Sequence, residues 1–188
     1  MVIDKWTTGE ISMSDLYDRI TGETGTFERL LARLPGFSGY MDNKARRAAD
    51  RMVRDHVADQ VSERINRLVQ IEKLLLDAGG LSYMSKTSGI KTRMQHYHDR
   101  VKAGAPGYSG FFAEIKIGPE QLESLYMFDE QQIRFADQFQ SGLDALEQAV
   151  AGQSGIDEAL AALDQMVVEA NEAFSKRDDL ITGLDASA

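Results

Sequence analysis

The stretch DNKARRAADRMVRDHVADQVSERINRLVQIEKLLLDA, residues 42–78, decides the fold. It contains neither Gly nor Pro, and Val53, Val57, Val61, Ile65, Leu68 and Leu75 recur along it at steps of three, four and seven residues. On a helix of 3.6 residues per turn these positions share one face, so the segment predicts a long amphipathic α-helix. At a rise of 1.5 Å per residue it would run ~55 Å, more than a compact domain usually needs, which implies an elongated bundle. Gly79-Gly80 supplies the left-handed residue that ends such a helix.

Working outward, a second helix is expected between Leu81 and Gly104, with Ile90, Met94, Tyr97 and Val101 on one stripe. Ser85 to Gly89 is expected to break its first turns. Further on, Phe111, Ala113, Ile115 and Ile117 alternate with Phe112, Glu114 and Lys116, the period-two pattern of a short extended segment near residues 111–117. Gly118-Pro119-Glu120 is a helix start, because Pro at the first helical position forfeits no hydrogen bond and Glu120 favours the positive end of the helix dipole. That helix should reach about Ala151, with Leu122, Leu125, Phe128, Ile133, Phe135, Ala136, Phe139, Leu143, Leu146 and Val150 on a wide apolar face interrupted by Asp129 and Gln132. A last helix over 156–182 follows from the four-three stepping of Ile156, Leu160, Leu163, Val167, Ala170, Phe174 and Ile181, broken only by Arg177. Upstream, residues 1–34 read as short helical pieces ended by Pro35-Gly36. The expectation is one all-α domain over residues 1–182, an elongated up-and-down bundle of four to five helices, with a flexible tail at 183–188.

The chain has 188 residues, no cysteine, 43% hydrophobic residues and a net charge of −9. The apolar fraction is enough for a sizeable core, and the missing thiols exclude disulfides and Cys-based metal or nucleophile chemistry. No apolar run approaches the ~18–20 residues that span a bilayer, and the opening MVIDKWTTGE lacks the plan of a secretory signal. A cytoplasmic protein without stable membrane insertion is expected. Charge is unevenly spread, near −1 over residues 1–81, +4 over residues 82–105 and −12 over residues 119–188 by direct count. So acidic a chain repels phosphate backbones, which argues against nucleic acid as a partner. The basic island from Lys86 to Lys102 is expected to lie against the acidic C-terminal helices.

One hexapeptide occurs twice, as Pro35-Gly36-Phe37-Ser38-Gly39-Tyr40 and, 71 residues later, as Pro106-Gly107-Tyr108-Ser109-Gly110-Phe111. Two copies imply either duplication of a helix-plus-turn unit or two solutions to one capping problem. Capping is the preferred reading, with Pro stopping a helix, Gly permitting positive φ and the ring folding over the apolar end. A functional reading would make both turns the walls of a binding pocket, with Tyr40 and Tyr108 as rings and Arg46, Arg47 and Arg51 as anion partners. Against it, Lys44, Arg46, Arg47, Arg51 and Arg54 crowd the start of the long helix beside Asp42, Asp50 and Asp55, the composition of a surface salt-bridge lattice.

Reactive signatures are missing. A di-iron bundle needs Glu-x-x-His, but Val53, Arg93 and Gln95 stand three residues before His56, His96 and His98. Ser38 and Ser109 lie in no nucleophile elbow, and the sequence has no phosphate-binding loop or EF-hand spacing. No cofactor, metal or catalytic residue is therefore expected. The chain reads as a non-enzymatic helical-bundle scaffold or adaptor that acts through protein contacts and self-associates as a homo-oligomer. The alternatives are a ligand- or metal-binding bundle with His56, Asp129 and Gln132 forming an inward polar site, and a membrane-surface remodelling hairpin protein.

The seam assignment is testable by truncation. Leu68→Ala and Leu143→Ala should each lower unfolding free energy by about 2–5 kcal/mol, several times the cost at an exposed position. Chemical denaturation measures both.

Overall fold

A computed structural model describes residues 32–34, 36, 43–104 and 119–176, with the side chains at 43–48, 50, 119–123 and 125 outside the description. Among the described residues there are four α-helices and no strand: α1 (Asn43–Asp77), α2 (Met84–Ala103), α3 (Pro119–Ala151) and α4 (Ile156–Ser175). A 3-10 turn, Leu81–Tyr83, leads into α2.

The expected stripes form the core. Val53, Val57, Val61, Leu68 and Leu75 of α1 are buried, joined by Ile71, while Ile65 is partly buried. Ile90, Met94, Tyr97 and Val101 of α2 and Leu160, Leu163, Val167, Ala170 and Phe174 of α4 are buried in turn. On α3 every described member of the expected face is buried from Phe128 to Val150. Each such side chain contributes roughly 1.5–3 kcal/mol on leaving water, so the four stripes hold the bundle together. Rings fill its centre: Tyr97 packs edge-on against Phe139 at 5.8 Å and Phe174 at 6.1 Å.

Pairwise contacts define the topology. In α1 and α2, Glu72 meets Lys91 and Asp55 meets Lys102, an antiparallel pairing that makes α1–α2 a hairpin. Gly142 of α3 faces Leu163 and Met166 of α4, and α3–α4 is a second hairpin. The hairpins stack side by side, α1 on α3 and α2 on α4. Rising numbers meet rising numbers across both contacts, so these neighbours run parallel. Arg67 reaches Asp144 and Glu147, whereas Lys86 and Arg93 reach Asp157 and Asp164. Directions thus alternate along the chain, while α3 lies diagonally across from α2 rather than beside it. Both hairpins share a plan, a helix of 35 or 33 residues followed by one of 20.

Three expectations need correction or fall elsewhere. Ser85 to Gly89 does not break α2, which runs unbroken from Met84: Thr87 is buried and bonds back to the Met84 carbonyl at 3.2 Å, and burial of Ile90 and Met94 offsets the helix cost of Gly89. The described part of α4 ends at Ser175, and the remainder of the expected 156–182 helix lies outside the described residues. The extended segment at 111–117, the pieces before residue 32, the tail and both hexapeptides apart from Gly36 also lie outside them.

The two hairpin turns use the same closure with different residues. After α1, Gly79 takes φ +79°, and the Gly80 and Gly79 amides donate to the Leu75 and Leu76 carbonyls at 2.7 and 3.0 Å. After α3, Ser154 and Gln153 donate to Ala149 and Val150 in the same pattern, but the left-handed residue is Gln153, with φ +51°. A side chain there crowds its own carbonyl, which glycine avoids. Gln153→Gly should therefore raise unfolding free energy by about 0.5–1 kcal/mol, read as a higher denaturation midpoint at unchanged slope.

Candidate functional site

The most chemically distinctive surface in the bundle is internal, the seam where one hairpin meets the other. Along α2–α4 it is a ladder with seven-residue spacing. Lys86 donates to Asp157 at 2.5 Å, Arg93 donates through Nε to Asp164 at 2.7 Å, and Arg100 donates to the Asn171 carbonyl at 2.9 Å. In parallel helices a constant offset keeps every rung in register, and here the offset is 71 residues. Three cations of the basic island thus lie against the acidic helix, as the charge pattern implied, while Lys91 and Lys102 pair with Glu72 and Asp55 of α1. Arg100 also sits over the Phe174 ring at 5.3 Å, a cation–π contact that fixes the last rung to the aromatic core.

Asn171 is the polar hub of this seam. Its Nδ2 donates to the Val167 and Arg93 carbonyls at 2.9 and 3.2 Å, and its Oδ1 stands 3.0 Å from His96 Nδ1. For that contact to be a hydrogen bond, Nδ1 must carry the proton. Sequence reasoning missed Asn171, although its step of seven from Asp164 and Asp157 was a usable signal.

The α1–α3 side is built differently. Arg67 donates to both Asp144 and Glu147 at 2.5 Å, which raises its already high pKa, Glu147 contributing most. Arg33 pairs with Asp137 at 2.6 Å. Between them, His56 Nε2, Gln60 Oε1 and Arg64 Nε are buried with no hydrogen-bond partner. Their four-residue spacing puts them on one stripe of α1, and each such group costs about 1–3 kcal/mol relative to a satisfied one.

Of the residues anticipated from sequence, only some lie among the described ones. Tyr40 and Tyr108 lie outside the described residues, as do the side chains of Arg46 and Arg47 on the first turns of α1. Arg51 is 79% exposed and lies 3.6 Å from Asp55, itself bonded to Lys102, which is a surface lattice contact. Asp129 and Gln132 are buried. Gln132 Oε1 accepts the Tyr97 hydroxyl at 2.9 Å across the bundle diagonal, and burial pushes the Tyr97 phenol well above its ordinary pKa. His56 belongs to a different neighbourhood, since the charged groups acting on it are Arg33, Asp59, Asp137 and Arg64. Asp137 lies eight residues beyond Asp129, about two helical turns along α3. Among the described residues no group of three or more His, Asp or Glu side chains is arranged to hold a metal ion.

At the tip of the α1–α2 hairpin, Leu74, Leu76 and Leu81 are 46%, 46% and 73% exposed. Leu74 and Leu76 flank the buried Leu75 on opposite sides, with the exposed Lys73 and Asp77 between them on the outer face. No helix among the described residues is long and apolar enough to cross a membrane. Compared with known proteins, the chain matches no family model, no curated protein and no solved structure.

The electrostatics of His56 give a pH dependence with a definite sign. Burial, then the Arg33 charge, lowers its pKa below the ordinary 6.5, with Asp59 and Asp137 opposing. The unfolded chain therefore binds the proton more readily than the native one, and native stability falls as pH drops below about 6.5 toward the lowered value. Imidazole titration by NMR should place His56 below free histidine. His56→Gln should flatten the stability profile in that window.

Proposed function

We propose that the protein is a non-enzymatic scaffold or adaptor that acts through protein contacts and associates with further copies of itself. The observation that carries the reading is the crown of Leu74, Leu76 and Leu81 at one hairpin tip, in a bundle whose other large apolar side chains are mostly buried. Large apolar side chains exposed together at one hairpin tip favour a contact region over a merely solvated one. A self-complementary apolar crown suits a second copy, tip against tip, related by a two-fold axis. Three partly exposed leucines cover far less than the roughly 800 Å² each partner buries in a stable complex, so the contact is weak and strengthens with concentration. A cytoplasmic setting belongs to the same proposal.

Sedimentation velocity over a concentration series tests it. The parent should shift from monomer toward dimer, and Leu74→Glu with Leu81→Glu should weaken that shift at least tenfold. A strict monomer at every concentration overturns the reading. Flotation with anionic liposomes that the same double variant abolishes would also overturn it, by making the crown a lipid contact.

A further inference from the structure

The two hairpins carry opposite charge. Residues 43–104 hold thirteen Lys and Arg against seven Asp and Glu, a net of +6, whereas residues 119–176 hold two against twelve, a net of −10. Every side-chain ion pair described across the seam follows this division. The cations Arg33, Arg67, Lys86 and Arg93 come from the first hairpin or the residues before it, and the carboxylates Asp137, Asp144, Glu147, Asp157 and Asp164 come from the second. The seam therefore joins two unlike complementary surfaces, and nothing in its chemistry requires both to belong to one chain.

The covalent link does not require it either. The diagonal between α2 and α3 is about 11–14 Å when neighbouring helices lie 8–10 Å apart, and α3 starts about 20 Å beyond the end of α2 along the bundle, a span of roughly 22–24 Å. The chain from Ala105 to Gly118 has fourteen residues, which extended reach roughly 46–50 Å. The closed arrangement also bears the cost of His56 Nε2, Gln60 Oε1 and Arg64 Nε, buried without partners along α1–α3, which makes parting the hairpins easier than parting a fully satisfied seam.

We propose that two copies of this chain exchange their acidic α3–α4 hairpins, so that the α2 ladder of each copy is completed by α4 of the other. Closure within one chain competes at an effective concentration on the order of millimolar, so exchange is favoured when refolding occurs at comparable protein concentration. The proposal uses a surface distinct from the tip crown. It stands or falls independently when tested on the full chain carrying Leu74→Glu and Leu81→Glu, which removes tip association.

Charge reversal in trans provides the experiment. One variant carries Lys86→Asp and Arg93→Asp, the other Asp157→Lys and Asp164→Arg. Each alone sets like charges against one another on two rungs, whereas a mixed exchanged dimer restores both ladders. Refolded separately the variants should show lowered thermal midpoints. Refolded together at about millimolar concentration they should give a one-to-one dimer with the midpoint restored. A mixture that melts as the sum of its components, with no mixed dimer, overturns the proposal. Should reversal prevent folding, a Lys86→Cys chain and an Asp157→Cys chain, each otherwise free of cysteine, can be refolded together and treated with a short bis-maleimide. Exchange predicts a covalent link between position 86 of one copy and position 157 of the other, in a yield that increases with refolding concentration. Absence of that link at millimolar concentration overturns it.

Discussion

The structure depends on the parallel stacking of a cationic hairpin on an anionic one over a shared aromatic centre. Apolar burial supplies most of the free energy, as in any bundle, but it does not by itself decide which helices become neighbours. The ladder does that. Lys86, Arg93 and Arg100 meet Asp157, Asp164 and the Asn171 carbonyl at one constant offset, and sliding α4 by a turn would mismatch all three rungs together. Exposed ion pairs are individually weak, so their contribution here is to register and direction more than to stability. The Tyr97–Gln132 bond adds a second constraint on register, because a buried phenol and amide that miss each other are costly.

The two sides of the seam are not equivalent. On α2–α4, Asn171 and its neighbours satisfy one another, with Arg100 spread over the Phe174 ring. On α1–α3, a polar stripe enters the interior with three atoms unpaired. Buried polar groups of this kind reduce stability while tuning how readily an interface parts, which links the proposed exchange to an energetic cause. The lowered pKa of His56 belongs to the same stripe and makes that side of the bundle sensitive to mild acid.

Much of the architecture was legible because helix periodicity is a local signal. The face of Val53 to Leu75, the start at Pro119 and the Gly79 closure all follow from side-chain spacing and backbone sterics within a few residues. Gly89 misled because glycine in a helix costs only about 1 kcal/mol, which packing of Ile90 and Met94 readily offsets. The diagonal placement of α3 depends on contacts between positions about 70 residues apart, and no window along the chain contains both. The candidate site was the least legible part. Gln132 and His56 are both polar residues on apolar helices, yet they turn to different neighbours, while Asn171 acquires its bonding only beside its partner helix.

Alternating helix direction puts the two hairpin turns together at one end of the bundle. The starts of α1 and α3 lie toward the opposite end, about 20 Å beyond the last residues of α2 and α4, because helices of 35 and 33 residues outrun partners of 20. A fluorophore or affinity handle joined at Lys176, exposed at the end of α4, sits at the end of that helix remote from Leu74, Leu76 and Leu81. The molecule can thus be immobilised with its apolar pole presented to solution, a geometry that suits surface-based detection of whatever it meets.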